Sequence, residues 1–307
     1  MRKTILLGLI SAAAMLAGTY TFQDVNYPAD TFTQLLGINN SGTVAGYHNA
    51  TVFSGFTFTQ PSNFTTLNFP GSAQTQVVGI NTAGNTDGFY IDNAGNTHGF
   101  IDQSNTFTTV DAPGTAFNQL LGINDIGQEA GYSSVDATGV TLQLAYIRSS
   151  GGVFTYVSGL PGGTLNSQAT GINNSGEVGG FYQDSAGVFH GFLVVMGVFS
   201  SFNAPVAGET GTQILGLNNN GQFVGFYLDA VGNSHGFVDS SGVFQTVDNP
   251  LGVGTTTING INDLGQVVGF FNGDVTQGFI GTAIPEPATW LLGGMGLACV
   301  ALIKRRR

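Results

Sequence analysis

Residues 260–269 read GINDLGQVVG, and variants of this stretch begin at Gly37, Gly79, Gly122, Gly171 and Gly216, with steps of 42, 43, 49, 45 and 44 residues between successive starts. A period near 44 residues is that of a propeller blade. Within the second copy, Gln74 to Ile80 forms an inner run, Asn81 to Gly84 a turn, and a second run ends at Tyr90. Asp92 to Gly95 then turns the chain into His98 to Ile101, and Phe107 to Val110 closes the unit. The connecting segments end in Gly after Asn or Asp, as hairpins that need a residue at positive φ require. Four short antiparallel strands per repeat predict a blade.

Counting strands predicts how the ring closes. The fourth run begins on Phe at Phe64, Phe107, Phe154, Phe199 and Phe244, and the sixth repeat lacks one, passing from Phe279 directly into the tail. A spare copy, Phe22 to Val25, stands before the first repeat. The sequence therefore predicts an all-β fold over residues 19–284, a six-bladed β-propeller whose last blade is completed by the N-terminal strand, leaving no free sheet edge.

Composition agrees with this architecture. Glycine supplies 48 of 307 residues and charged residues only 8%, which suits short strands and tight turns better than helices. Between residues 19 and 284 Arg148 stands alone against seventeen acidic residues, a formal charge of −16. Such a surface repels phosphate backbones and argues against nucleic acid as a partner. The single cysteine, Cys299, lies outside the repeats, so the body has no thiol for a disulfide, zinc or a nucleophile.

Both ends carry their own patterns. Residues 1–18, MRKTILLGLISAAAMLAG, place Arg2 and Lys3 before an apolar run and small residues, the layout of a secretory signal peptide cleaved between Ala14 and Gly18. Residues 285–307 begin with Pro285, Glu286 and Pro287, continue through an uncharged run from Ala288 to Ile303 and end on Lys304, Arg305, Arg306 and Arg307. Sixteen helical residues reach about 24 Å, short of a hydrocarbon core of about 30 Å. The expectation is a single, short transmembrane helix with its basic end on the cytoplasmic side. This tail resembles the PEP-CTERM sorting signal. The resemblance implies secretion, transient anchoring in the inner membrane of a Gram-negative bacterium, and cutting near the Pro-Glu-Pro triplet by an exosortase-type membrane protease. Release to the cell surface or an exopolysaccharide matrix would follow.

The repeats resemble the bacterial extracellular HAF repeat family, through the Gly-Ile-Asn turn, the Val-Val-Gly run and a His-Ala-Phe beat, here His-Gly-Phe at His98, His190 and His235. That resemblance implies exported repeat proteins of unknown activity.

Candidate chemistry is sparse. Gln34, Gln76, Gln119, Gln168 and Gln213, with Thr257 in the sixth copy, lie three residues before the repeat glycine. On an innermost strand they would face the channel as a ring for water, a cation or a sugar hydroxyl, or bond neighbouring blades. Asn39, Asn81, Asn124, Asn173, Asn218 and Asn262 each precede a turn glycine by three residues, and an Asn bonding its own backbone explains them. The three His-Gly-Phe histidines fall on equivalent slots around a ring, too dispersed for one metal. Asp92, Asp136, Asp184 and Asp229 read as turn formers, each loop offering about one carboxylate where calcium needs six to eight oxygens. No cofactor is expected, with weak calcium sites between loops as the exception to test. Arg148, beside the long third-repeat insertion of residues 133–143, is expected in a surface ion pair.

No catalytic residues emerge: a Gly-x-Ser-x-Gly elbow is absent, one arginine cannot clamp a carboxylate, and Trp290 is the sole tryptophan and lies in the tail. The leading expectation is a non-enzymatic structural or glycan-binding surface protein, linked to exopolysaccharide and biofilm. A polysaccharide hydrolase or lyase at a channel mouth is the second reading and a calcium-stabilised adhesin the third.

Overall fold

The computed structural model of the protein describes residues 20–49 and 51–284. The segments 1–18 and 285–307 lie outside the described residues, and with them the expected signal peptide, the C-terminal helix and the sorting residues. The described residues form six four-stranded antiparallel sheets, and none forms a helix. In blade 1 the strands run Thr33–Ile38, Val44–Asn49, Phe53–Thr59 and Asn63–Thr66 from the centre outward. The innermost strands of blades 2 to 6 are Gln74–Ile80, Phe117–Ile123, Asn166–Ile172, Gly211–Leu217 and Thr256–Ile261.

Closure follows the strand count. Tyr20–Val25 pairs antiparallel with Thr276–Ala283 as the outermost strand of blade 6, Phe22 opposite Gly281 and Val25 opposite Gly278. Its phenylalanine repeats a contact made in every blade. The residue after Gly or Ala in the third-strand beat is wholly buried: Phe56, Phe100, Tyr146, Phe192, Phe237 and Phe279. Each meets a fourth-strand phenylalanine at 5.0–5.7 Å between ring centroids, Phe56 with Phe64 at 5.2 Å and Phe279 with Phe22 at 5.4 Å. Burying one such ring stabilises by about 1.5–3 kcal/mol, and aromatic geometry adds about 0.5–1.5 kcal/mol.

The core is divided among the blade interfaces. Six clusters of buried side chains each join two neighbours. One sets Val25, Val268 and Ile280 of blade 6 against Leu35, Val44, Phe56 and Phe58 of blade 1, so the ring closes by packing as well as by pairing.

Each Gly-Ile-Asn turn ends on a glycine in the left-handed region, from Gly42 at φ 77° to Gly265 at φ 75°. The expected local asparagine bonds are present as well: the Asn218 Oδ1 accepts from the backbone N–H of Asn220 and Gln222, each at 3.0 Å.

Candidate functional site

Six innermost strands surround a central channel whose wide part has a volume of about 320 Å³. Every one of these strands carries a β-bulge, between Leu35 and Gly37 in blade 1 and at the matching place in the other five. The skipped residues Leu36, Val78, Leu121, Thr170, Leu215 and Asn259 all line the cavity. Bulges re-aim side chains, and here they bring one residue of each blade to the cavity wall, with Thr170 and Asn259 bonding the backbone of the next blade at Ile214 and Leu35.

Next to them the repeat glycines form a waist. A Cβ built on any one would lie 3.0–3.4 Å from the Cα of the next blade's glycine, as for Gly122 against Gly171 at 3.0 Å. The glycine that opens the repeat motif is thus required by backbone approaching backbone, a close contact only Gly permits.

The wide mouth combines amides with rings. Gln76, Gln168 and Gln213 line the cavity, together with Tyr47, Phe89 and Phe181 of the second strands. Antiparallel register explains the company they keep: Gln76 lies opposite Phe89, Gln168 opposite Phe181 and Gln34 opposite Tyr47. The six residues of the expected ring divide by partner. Gln34 accepts a 2.5 Å bond from the Tyr47 hydroxyl, and the Gln168 Nε2 donates at 2.8 Å to Gln143 of blade 3. Thr257 is buried, 8% exposed, with its hydroxyl 3.5 Å from that of Ser234. Gln119 is half-buried and does not line the cavity. Among the described residues the side-chain amides of Gln76 and Gln213 have no protein hydrogen-bond partner. Among the described residues no charged side chain lines this cavity.

The opposite mouth is narrower, with a cavity of about 80 Å³, and is built from two polar rings. In the inner one, the Nδ2 of each motif asparagine donates to the backbone carbonyl of the next blade's asparagine: Asn39 to Asn81, Asn81 to Asn124, Asn124 to Asn173, Asn173 to Asn218, Asn218 to Asn262, and Asn262 back to Asn39, at 2.9–3.2 Å. The circle is complete. Local turn chemistry had accounted for these asparagines alone, yet their amide donors bond chain 42 to 49 residues away and, at closure, 223. The residues that follow form the outer ring, in which Asp125 binds Thr82 and Asn174 while Asp263 binds Asn219 and Asn40. Partial burial works against charge at both aspartates, but these hydrogen bonds outweigh it and hold both carboxyls below their ordinary value.

Three further stations repeat on blades 2, 4 and 5. His98 stacks on Tyr90, donates through Nδ1 to Asp111 at 2.7 Å and lies 3.5 Å from Asp92 through Nε2. His235 does the same with Tyr227, Asp248 and Asp229, and His190 with Tyr182, Asn203 and Asp184. Burial lowers the imidazolium of His98 and His235, but the hydrogen bonds and charges of the flanking aspartates prevail and raise both above the ordinary value. Asp92 and Asp229 are driven down to about 2: hydrogen bonds from Asn96 and Asn233 respectively lead, and those from the adjacent histidines add to them. The aspartates are thus turn formers that also clamp the histidine of the following strand.

The acids with raised pKa values sit elsewhere, inside blades 2 and 3. Asp87 is fully buried, with one oxygen accepting from the Gly79 N–H at 2.8 Å and the other without a partner among the described residues. Burial pushes its carboxyl well above the ordinary value. Burial likewise lifts Glu129 to about 7, although Arg148 bonds it at 2.9 Å and pulls the other way. The expected surface ion pair of Arg148 is therefore corrected to a largely buried one: the register places Arg148 opposite Glu129 across two paired strands, and Glu129 is 2% exposed. Among the described residues, no group of three or more His, Cys, Asp or Glu is placed to hold a metal ion.

Comparison with known proteins bears on both parts of the chain. Among curated proteins, no sequence matches. AofleA from Arthrobotrys oligospora is similar in fold, with a TM-score of 0.51 at 13% identity over 86% of this chain and 84% of that one. SapL1 lectin, solved in complex with alpha methyl fucoside, gives 0.50 at 12% identity over 84% of this chain and 98% of that one. At the C-terminus, residues 283–307 match the PEP-CTERM protein-sorting motif, which implies export and membrane-anchored sorting. The chain is thus a six-bladed β-propeller, Tyr20 to Ala283, followed by a PEP-CTERM protein-sorting motif.

Proposed function

We propose that the protein is a non-enzymatic, glycan-binding component of the cell surface or exopolysaccharide matrix of a Gram-negative bacterium. Secretion machinery exports it, the C-terminal tail holds it in the inner membrane, and an exosortase-type protease cuts the tail near Pro285, Glu286 and Pro287. The observation that carries the glycan reading is the wide channel mouth, where Gln76 and Gln213, whose amides have no protein partner among the described residues, line the same cavity as Phe89 and Phe181. Amides meet sugar hydroxyls, and aromatic faces meet the apolar C–H faces of sugar rings. SapL1, a lectin of the same fold, is solved with a bound fucoside; at its low identity that likeness supports the scaffold and leaves the sugar open.

The test is direct. The propeller, residues 19–284, is presented to the host's exopolysaccharide and to a glycan panel, and both binding and release of reducing ends are measured. Binding without product is expected. Release of reducing ends would replace this reading with the hydrolase or lyase one. Deleting residues 285–307 is expected to abolish surface delivery; unchanged delivery would remove the sorting part.

A further inference from the structure

We infer that the wide mouth of the channel recognises the terminus of a neutral glycan, entering end-on, with Gln76 and Gln213 binding its hydroxyls and Phe89 and Phe181 its ring faces. This rests on the glycan-binding reading and assigns it a place, a direction and a chemical class.

Place follows from what is uncommitted. Gln34 and Gln168 are tied to Tyr47 and Gln143, whereas Gln76 and Gln213 line the cavity and their amides have no protein partner among the described residues. Their blades, 2 and 5, are three apart in a ring of six, so the two amides approach a ligand from opposite walls. Phe89 is half-buried opposite Gln76 and is the more open ring; Phe181, opposite Gln168, is 7% exposed, its ring packed edge-on against Phe189, and reaches the cavity along its wall. The bulge residues add a mainly apolar wall, Leu36, Val78, Leu121 and Leu215, with Thr170 and Asn259 bonded to neighbouring backbone.

Direction follows from the taper. About 320 Å³ at the wide mouth falls within the size of small-molecule sites, roughly 300–1,000 Å³. Beyond the glycine waist the space is about 80 Å³, room for two or three waters at about 30 Å³ each. A chain threading both mouths would have to pass the closed asparagine circle. A terminal sugar needs only the wide mouth.

Class follows from charge. Among the described residues no charged side chain lines the cavity, so a uronate or sulfate entering it would lose hydration without gaining an ion pair there. The formal charge of −16 over residues 19–284 repels the same ligands at a distance. A neutral sugar meets neither penalty.

The propeller contains no native tryptophan, since Trp290 lies in the tail, so Phe89→Trp places a single tryptophan at the mouth, excited selectively over the tyrosines at the red edge of their absorption. The propeller has its own six cores and its own closing strand, so it is tested without the tail. Neutral oligosaccharides of two to four hexoses, and uronate oligosaccharides of equal length, are titrated against it, with calorimetry on the unmodified propeller in parallel. The expected result is a saturable emission change with a neutral oligosaccharide. Gln76→Leu and Gln213→Leu should each weaken binding about tenfold, the loss of one hydrogen bond. Should either leucine variant melt early, Gln76→Glu and Gln213→Glu keep the side-chain length and are expected to weaken neutral-glycan binding as well. Calorimetric binding with silent fluorescence and unchanged affinity in the glutamine variants would overturn the channel site while glycan binding stands. Equal binding of uronates would overturn the neutral class. No binding by calorimetry to any sugar tested would bring down the glycan reading and this inference with it.

Discussion

Asn218 has two tasks that a single substitution separates. Its Oδ1 caps its own turn through the N–H groups of Asn220 and Gln222, and its Nδ2 donates to the Asn262 carbonyl of the next blade at 2.9 Å and to the Gln222 Oε1 at 2.7 Å. Asn218→Asp keeps the cap acceptor, removes the donor and sets a carboxylate against a carbonyl oxygen at a position 4% exposed. Losing a buried bond and leaving its acceptor unpaired costs about 1–3 kcal/mol, which lowers Tm by about 2–10 °C at this size. An unchanged Tm would show the turn alone matters. Gly216→Ala tests the waist: its Cβ would meet the Asn259 carbonyl oxygen at 2.6 Å, and backbone cannot yield as a side chain can. Overpacking of this kind costs about 1–3 kcal/mol, seen as a lower denaturation midpoint; a neutral result would mean the blades slide apart freely. Both residues were visible in the sequence as repeats, but only half of their reasons were. Turn geometry is local and can be read from spacing, whereas the bond from Asn218 to Asn262 and the approach of Gly216 to Gly260 depend on how blades abut.

The strand Tyr20–Val25 was legible by counting, because five fourth-strand phenylalanines and one spare at Phe22 admit one arrangement in a closed ring of six. Deleting residues 20–25 should leave the Thr276–Ala283 edge unpaired, strip Phe22 from Phe279 and remove Val25 from the core shared with blade 1. The expected loss is several kcal/mol, about 10 °C or more in Tm, with self-association through the bared edge. Melting and light scattering check it; a monomer of unchanged Tm would show that side-chain packing alone holds blades 6 and 1 together. The channel was less legible than the closure. The sequence put six residues on one ring from their common spacing, yet only Gln76, Gln168 and Gln213 line the cavity. Strand register brings in aromatic partners such as Tyr47, whose hydroxyl draws Gln34 away, and the blade 3 insertion supplies Gln143 to hold Gln168. Spacing fixes the position along a strand, and the neighbours decide where the amide goes.

Above about pH 4.5 the titrating groups with raised values, though scattered over the propeller, push its stability in one direction. His98 and His235 have folded-state values above the ordinary one, so their stabilisation is fully present below about pH 6.5 and is lost as pH rises through the folded value. Glu129, lifted from 4.5 to about 7, holds its proton in the folded state where the unfolded chain has released it, so stability falls as pH climbs across that interval. Asp87, raised by burial, has the same sign. Repulsion within a body of formal charge −16 also grows as these protons leave. On the acid side the order reverses: Asp92, Asp136 and Asp229 are held at about 2, and their contribution, present above about pH 3.9, disappears as pH falls towards 2. Stability should therefore peak between about pH 4 and 6 and decline towards pH 8. The Glu129 contribution is on the order of 2–3 kcal/mol, or about 5–10 °C in Tm. Melting curves from pH 3 to 9 test this, with Glu129→Gln flattening the decline between pH 5 and 8 and His98→Gln with His235→Gln removing the part above pH 6.5. A Tm that is level or rising from pH 5 to 8 would mean that Glu129 and Asp87 are ionised within the fold, with Arg148 and water solvating them better than their burial allows.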